Sequence, residues 1–247
     1  MIELKEISKS FGSHKVLDGL DLTINTGESL VIIGRSGCGK SVLLKHIMGL
    51  LRPDSGSVEV DGVDMVKADS RTIERVRMDF GMLFQGAALF DSLSVFENVS
   101  FRLMEHTDMT MDEMKKRVSE CLGMVGLYGV ENVKPAALSG GMKKRVGLAR
   151  AISMSPKYIL FDEPTTGVDP VTGDLINNLI RRLHDTLGIT SVTVTHDMKS
   201  AYRIADRIAM LYDRKIIAAG TPEEIKSSAD PVVHQFINGE SKGPITN

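Results

Sequence analysis

The chain has 247 residues, of which 42% are hydrophobic and 25% are charged, and its formal net charge is −2. This length is near the upper limit for one hydrophobic core, and the composition is that of an ordinary globular protein. The near-neutral charge argues against a nucleic-acid-binding protein, and the two cysteines, Cys38 and Cys121, are too few for a disulfide framework and indicate free thiols.

No targeting or membrane-spanning segment is predicted. The N-terminal stretch MIELKEISKSFG lacks the apolar core of a signal peptide. The longest apolar stretch, VLLKHIMGLL at 42–51, contains Lys45 and His46 and is shorter than the roughly 20 apolar residues that span a bilayer. We therefore expect a cytoplasmic chain that reaches a membrane only through another protein.

The first third of the chain is predicted to be rich in β-structure. Residues 2–33 alternate polar and apolar side chains between turn signals, which is typical of strands. A glycine-rich loop at 34–41 then leads into an apolar helix, and PDSG ends that helix. Residues 57–65 have the pattern of a short hairpin, and residues 80–84 have that of a buried strand.

The remainder of the chain changes from helical to alternating structure. Residues 86–135 are helical in pattern and rich in methionine, which we interpret as core filling of an inserted lobe. Apolar strands and helices alternate from 158 to 212, which favours a parallel sheet covered on both faces. The polar tail SKGPITN at 241–247 is expected to be flexible.

The loop GRSGCGKS at 34–41 matches the pattern G-x-x-x-x-G-K-[ST] between a strand and a helix. Its backbone N–H groups can curl around phosphate oxygens. Lys40 is expected to reach the β- and γ-phosphates, and the Ser41 hydroxyl is expected to ligate Mg²⁺. Cys38 lies inside the loop, so its alkylation is expected to block nucleotide binding.

Polar residues also follow three other apolar strands. YILFDEP at 158–164 ends in Asp162, a candidate Mg²⁺ ligand, and Glu163, a candidate to polarise the attacking water. His196 and Gln85 follow two further strands, and ligands bind at the carboxyl edge of a parallel sheet. We therefore expect His196 at the γ-phosphate and Gln85 at the Mg²⁺ shell or the attacking water.

The stretch LSGGMKKRVGLAR at 138–150 places a serine and two glycines before a basic helix. Unpaired N–H groups and the helix dipole at such a start attract an anion. The basic run at 143–145 is interpreted as a solvated helix face, because short charge runs usually are.

Taken in this order, the phosphate loop, FQ, LSGG, FDEP and TH motifs resemble those of an ABC-type ATPase subunit over about residues 2–225. The resemblance implies ATP with Mg²⁺, and a head-to-tail homodimer that encloses two ATP molecules. It implies that the ATP contacts are Phe11, stacked on adenine, together with Gly34, Arg35, Ser36, Gly37, Cys38, Gly39, Lys40, Ser41 and Val42. It also implies that Leu138, Ser139, Gly140, Gly141 and Met142 contact the ATP of the opposite subunit, and that Asp169 lies in the segment that meets the partner.

The fold implied is that of an ABC ATPase, an α/β P-loop NTPase. It consists of a parallel core sheet, an N-terminal antiparallel β subdomain and an inserted helical subdomain. Within a single domain at 1–247, the core is assigned to 1–85 and 156–228, the helical subdomain to 86–155, and a C-terminal tail to 229–247.

This sequence departs from the usual family pattern at several positions, and these departures point to one subgroup of the family. Met142 replaces the usual glutamine after LSGG, and Arg35 replaces a common proline. GRSGCGKSVLLKHIMGLL, LSGGMKKRVGLARA and the ending HQFINGESKGPI resemble the Mla-type subgroup, which powers phospholipid movement between the inner and outer membranes. We expect hydrolysis to survive Met142, because the Gly140 and Gly141 amides and the Ser139 hydroxyl can still bind phosphate.

The subgroup implies partners for the homodimer. These are an integral membrane permease of the MlaE type, for which residues 86–135 are the expected coupling surface, and an MCE-domain protein of the MlaD type. The sequence leaves open whether a small STAS-domain regulatory subunit also binds. The chain is then expected at the cytoplasmic face of the inner membrane, attached through the permease.

Two alternatives remain at the level of sequence. The same ATPase could serve another solute, such as an amino acid. It could also be a non-transport ABC protein that acts on DNA or ribosomes. The near-neutral charge and the single ATPase unit argue against the second alternative.

Overall fold

The computed structural model describes residues 1–246, which form two compact units. Unit 1 contains residues 1–74 and the chain from Val192 onward, and unit 2 contains residues 75–191. Helix α2 (Ser70–Met78) and strand β8 (Thr190–Thr195) each cross a boundary between the units along the chain.

Unit 1 begins with a four-stranded antiparallel sheet in the order β2-β1-β4-β5. Ile2 on the first strand lies opposite Ile24 and Val60 on its two neighbours, and all three side chains are buried. The predicted β-rich start and the short hairpin are therefore confirmed. The strands are β1 (Ile2–Phe11), β2 (His14–Ile24), β4 (Ser55–Val60) and β5 (Val63–Asp64).

The other strands of unit 1 follow the order β10-β9-β3-β8. Strand β3 (Ser29–Ile33) is buried at every residue and pairs in parallel with β9 (Arg207–Tyr212), while β10 (Lys215–Gly220) is an antiparallel edge strand. Complete burial is typical of a parallel strand that is covered on both faces. The helices of this unit are α1 (Lys40–Ile47), α7 (Met198–Ile204), α8 (Pro222–Lys226) and α9 (Pro231–Asn238).

Unit 2 contains the parallel strand pair β6 (Phe80–Leu83) and β7 (Tyr158–Asp162). Three α-helices lie between these strands in the chain: α3 (Val95–His106), α4 (Met111–Met124) and α5 (Gly140–Ile152). Helix α5 packs against β6, α3 and α4, and α6 (Pro170–Leu187) follows β7. The α/β class and the helical texture after β6 agree with the sequence.

The starts of α3 and α4 are fixed by reciprocal capping. The Ser94 hydroxyl accepts from the Glu97 N–H while the Glu97 carboxylate accepts from the Ser94 N–H, and Thr110 and Glu113 repeat the arrangement. Such boxes satisfy two N–H groups that a helix start otherwise leaves unpaired.

The expectation that the methionines of this region fill a core is largely wrong. Met114 is buried, but Met104, Met109 and Met111 are each more than one third exposed. The reason is local, because Met109 and Met111 lie beside the capped start of α4, and the core of that helix is made by residues further along, including Val118 and Leu122.

Residues 241–246 of the predicted flexible tail contact α9 and the phosphate loop, whereas residue 247 lies outside the described residues. The buried Gln235 side chain accepts from the Ile245 N–H at 2.7 Å and donates to Glu240 O and Thr246 Oγ1, both at 3.1 Å. Arg35 also donates to the Ile245 carbonyl at 3.2 Å. One buried amide thus bonds three groups of residues 240–246, which composition alone suggested would be free.

Candidate functional site

The predicted phosphate loop of unit 1 connects β3 to α1. Lys40 is the first residue of α1, and its side chain is buried. Its ammonium donates to the carbonyls of Gly34 at 2.8 Å and Arg35 at 3.0 Å, so the loop curves around a positive charge. Arg35, Ser36 and Gly37 on the outside of this curve are exposed.

Two glycines of the loop lie too close to neighbouring atoms to carry a side chain. A Cβ at Gly34 would be 2.5 Å from Leu211 O, and one at Gly39 would be 2.8 Å from Cγ1 of Val16. Gly39 is also the N-cap residue of α1, with φ 108° and no side-chain cap. No side chain at the N-cap therefore bonds the first N–H groups of α1, which include those of Ser41 and Val42. Such N–H groups at a helix start bind phosphate in loops of this kind.

The other predicted ATP contacts of unit 1 are exposed. His196 directly follows β8, the neighbour of β3 in the sheet order, and precedes Asp197, which caps α7. Phe11 ends β1 with half of its surface exposed, and the Lys9 ammonium lies 5.7 Å from its ring centroid. Both side chains are accessible to a ligand.

In unit 2, the predicted catalytic residues follow the parallel strands β6 and β7. Leu83 pairs with Phe161, so Gln85 and the pair Asp162–Glu163 leave the same end of these strands. Glu163 is only 9% exposed and has a left-handed backbone with φ 47°. Its carboxylate accepts from the Thr166 hydroxyl at 3.2 Å, which fixes one orientation of the side chain.

Lys144 bonds to both the loop that follows β6 and the loop that follows β7. Its burial corrects the interpretation of 143–145 as a solvated face. Its side chain is 5% exposed, and its ammonium donates to the carbonyls of Gln85 and, at 3.3 Å, Glu163. Burial lowers the pKa of Lys144, although the negative charges of Asp162 and Glu163 act in the opposite direction.

A periodicity signal could have located Lys144. It lies three and four residues before Gly147 and Leu148, which are buried, so it shares their face of α5. Only the positive charge of Lys144 favoured the prediction that its side chain is exposed to solvent.

The stretch Leu138–Met142 leads into α5, which begins at Gly140 with Ser139 as its N-cap. The Ser139 hydroxyl accepts from the Met142 N–H at 3.3 Å, and Leu138 is buried below the turn. A cavity of about 530 Å³ opens beside it within unit 2. Its lining residues are Gln85, Gly86, Ala87, Gly140, Lys143, Lys144, Thr166, Gly167 and Val168.

Asp169 caps α6. Its carboxylate accepts from the N–H groups of Val171 and Thr172, both at 3.0 Å, and from the Thr172 hydroxyl at 2.6 Å. The hydroxyl bond from Thr172 is the main reason that the pKa of Asp169 lies below its usual value. The residue therefore has a local structural role in addition to the predicted role at a dimer contact.

The described residues include neither a membrane-spanning helix nor a cluster of metal ligands. Within residues 1–246, no helix is both long and apolar enough to cross a bilayer. In the same residues, no group of three or more His, Cys, Asp or Glu side chains is arranged to hold a metal ion.

These features define a P-loop nucleotide-binding protein. They are a strand, a glycine loop with a buried lysine and a helix in succession, and a second strand that leads into two acidic residues. Residues 17–166 match the ABC transporter family, and the chain belongs to that family. It binds ATP and is an ATPase, as the sequence predicts.

Individual relatives match over nearly the whole chain. It is 42% identical over 245 residues to the intermembrane phospholipid transport system ATP-binding protein MlaF of Haemophilus influenzae, covering 99% of this chain and 93% of that one. It is also 42% identical over 244 residues to the probable ribonucleotide transport ATP-binding protein mkl of Mycobacterium tuberculosis, covering 99% and 68%.

A solved dimeric ATP-binding cassette in a post-hydrolysis state, with ADP and Pi bound, has a TM-score of 0.83 and 35% identity. It covers 90% of this chain and 99% of its own. The predicted ABC ATPase fold and the resemblance to Mla-type proteins are confirmed by these comparisons.

Proposed function

We propose that this ATPase powers the transport of phospholipids between the inner and outer membranes. The observation that carries the proposal is the likeness to the phospholipid transport protein of Haemophilus influenzae, which extends over 99% of this chain and 93% of that one. A likeness of this extent includes the residues outside the phosphate loop, where transport systems of one family differ.

In the proposed mechanism, ATP binds the phosphate loop of one copy and the stretch Leu138–Met142, here called the signature, of a second copy. Lys40 and the first amides of α1 bind the β- and γ-phosphates, and Phe11 stacks on adenine. Glu163 polarises the attacking water, while Gln85 and His196 position water and γ-phosphate. Positioning and charge stabilisation of this kind supply most of the catalysis in phosphoryl transfer.

Magnesium fits the donors that this chain offers. The Ser41 hydroxyl, the Asp162 carboxylate and the Gln85 amide are oxygen donors, the type that Mg²⁺ prefers. Mg²⁺ usually takes one or two protein oxygens and completes its shell with water and substrate phosphates. When bound, it neutralises charge on the β- and γ-phosphates.

The proposed assembly is a homodimer held at the cytoplasmic face of the inner membrane by an integral permease of the MlaE type. An MCE-domain protein of the MlaD type completes the path for lipid, and a small STAS-domain protein is a candidate regulatory subunit. Support for the dimer comes from the solved cassette, which is itself dimeric.

A second candidate is transport of another solute by the same ATPase. It is favoured by the Mycobacterium tuberculosis relative, which is also 42% identical to this chain and is named for ribonucleotide transport. Purification of this chain from native membranes in mild detergent separates the candidates. A permease with an MCE-domain protein supports lipid transport, whereas a soluble solute-binding protein supports the second candidate.

The catalytic assignment is tested by Glu163→Gln, which keeps the shape of the side chain but removes its charge. We expect hydrolysis to fall by roughly 10²–10⁴-fold, with ATP retained in a stable dimer, as measured by phosphate release and light scattering. The exposed Glu105→Gln is the matched control and should behave as the wild type. A Glu163→Gln protein that stays monomeric and hydrolyses ATP normally would refute the mechanism.

A further inference from the structure

One member of the basic run at 143–145 contacts both of the loops in unit 2 that carry predicted catalytic residues, the loop after β6 with Gln85 and the loop after β7 with Glu163. The buried ammonium of Lys144 donates to the carbonyls of Gln85 and Glu163. Charged donors make stronger hydrogen bonds than neutral ones, and a buried bond is less weakened by water. Lys144 therefore fixes the backbone where each loop begins.

The backbone in these loops needs such support. Glu163, Ala87 and Ala88 have φ values of 47°, 60° and 45°, a left-handed conformation that is unfavourable for residues other than glycine. The carbonyls of all three accept from cations of α5. Lys144 bonds Glu163 O, and Arg150 bonds Ala87 O at 2.6 Å and Ala88 O at 2.7 Å.

We propose that Lys144 is a positioning residue of the ATPase reaction, which holds Gln85 and Glu163 in fixed relation to each other and to the signature helix. Because Lys144 lies on the helix that Ser139 caps, a displacement of the signature moves both catalytic loops together. This inference rests on the proposed roles of Gln85 and Glu163 in hydrolysis.

A purely structural role makes a different prediction. If Lys144 only satisfied two buried carbonyls, its loss would lower stability without a selective effect on turnover. Lys144 is not part of the phosphate loop that contains Lys40 and Ser41. Nucleotide affinity should therefore be preserved in either case. The separation of kcat from KM and from the melting temperature therefore distinguishes the two roles.

The experiment compares Lys144→Met, Lys144→Arg and the wild-type full chain by steady-state ATPase kinetics, binding of a fluorescent ATP analogue, and thermal unfolding. We expect Lys144→Met to lower kcat at least tenfold while KM and analogue affinity change less than about twofold. Lys144→Arg, which keeps the charge and the donors, should recover most of kcat. If Lys144→Met does not fold, Lys144→Gln replaces it, because its single amide can satisfy only one carbonyl.

The matched control is Arg145→Met, which removes a neighbouring cation of α5 whose bond goes to Gly126 O, away from both catalytic loops. It should keep kcat within about twofold. The proposal is overturned if the Met or Gln variant of Lys144 keeps wild-type kcat, or if the Met and Arg variants lose kcat equally with a lower melting temperature. A normally active Glu163→Gln protein would instead refute the proposed catalytic role of Glu163, on which this inference rests.

Discussion

Gly141 of the signature lies against Thr172 in the first turn of α6, so closely that a Cβ on Gly141 would be 2.5 Å from Cγ2 of Thr172. The same threonine donates its hydroxyl to Asp169 at 2.6 Å. Within unit 2, the signature and the segment expected to meet the partner subunit are therefore coupled by one side chain.

Gly141→Ala should destabilise the chain, because the new methyl group must displace Thr172 from its contact with Asp169. Overpacking of this kind costs about 1–3 kcal/mol, which urea unfolding can measure. Thr172→Ser removes the methyl in the way but keeps the hydroxyl. The double variant Gly141→Ala/Thr172→Ser should recover most of the loss, and an equally unstable double variant would contradict the contact.

Asp169→Ala should lower the melting temperature by about 2–4 °C, since it removes the N-cap of an 18-residue helix. Asp169→Asn keeps the acceptor oxygen and should lose less. The sign of the pH effect follows from the lowered pKa of Asp169. The carboxylate contributes its full stability above its ordinary pKa of about 3.9, and the contribution is lost as the pH falls through the lower folded value. A wild-type and an Asn variant with parallel acid transitions would argue against this role.

Maleimide should modify Cys38 selectively, and ATP should protect it. Cys38 is partly accessible in the phosphate loop, whereas Cys121 is fully buried and burial raises its pKa to about 11. The thiolate is the reactive form, so Cys121 should stay unmodified in the folded chain. Mass spectrometry identifies the labelled cysteine, and filter binding reports ATP affinity.

Cys38→Ser is the control for this labelling experiment. It should bind ATP and resist inhibition by maleimide. Undiminished ATP binding after stoichiometric labelling of Cys38 would place the nucleotide elsewhere.

Features that are formed by a few consecutive residues could be predicted from the sequence. The phosphate loop is one, because strand, glycines, lysine and helix are adjacent in the chain and the interactions that form it, such as Lys40 to Gly34 O, are local. The cap of α5 by Ser139 is another, since a hydroxyl reaches only the next turn.

Features that depend on distant partners could not be predicted in this way. Lys144 reaches carbonyls that lie 59 and 19 residues away, and nothing near it in sequence distinguishes a buried lysine from a solvated one except the helical period. The contacts of residues 245 and 246 could not be predicted for the same reason, because composition does not reveal that Gln235 bonds the Ile245 N–H and the Thr246 hydroxyl.

The bond from Arg35 to the Ile245 carbonyl has a practical meaning for anyone handling this protein. Because Ile245 is bonded directly to the predicted phosphate loop, a truncation that removes this bond should be checked for its effect on measured ATP affinity.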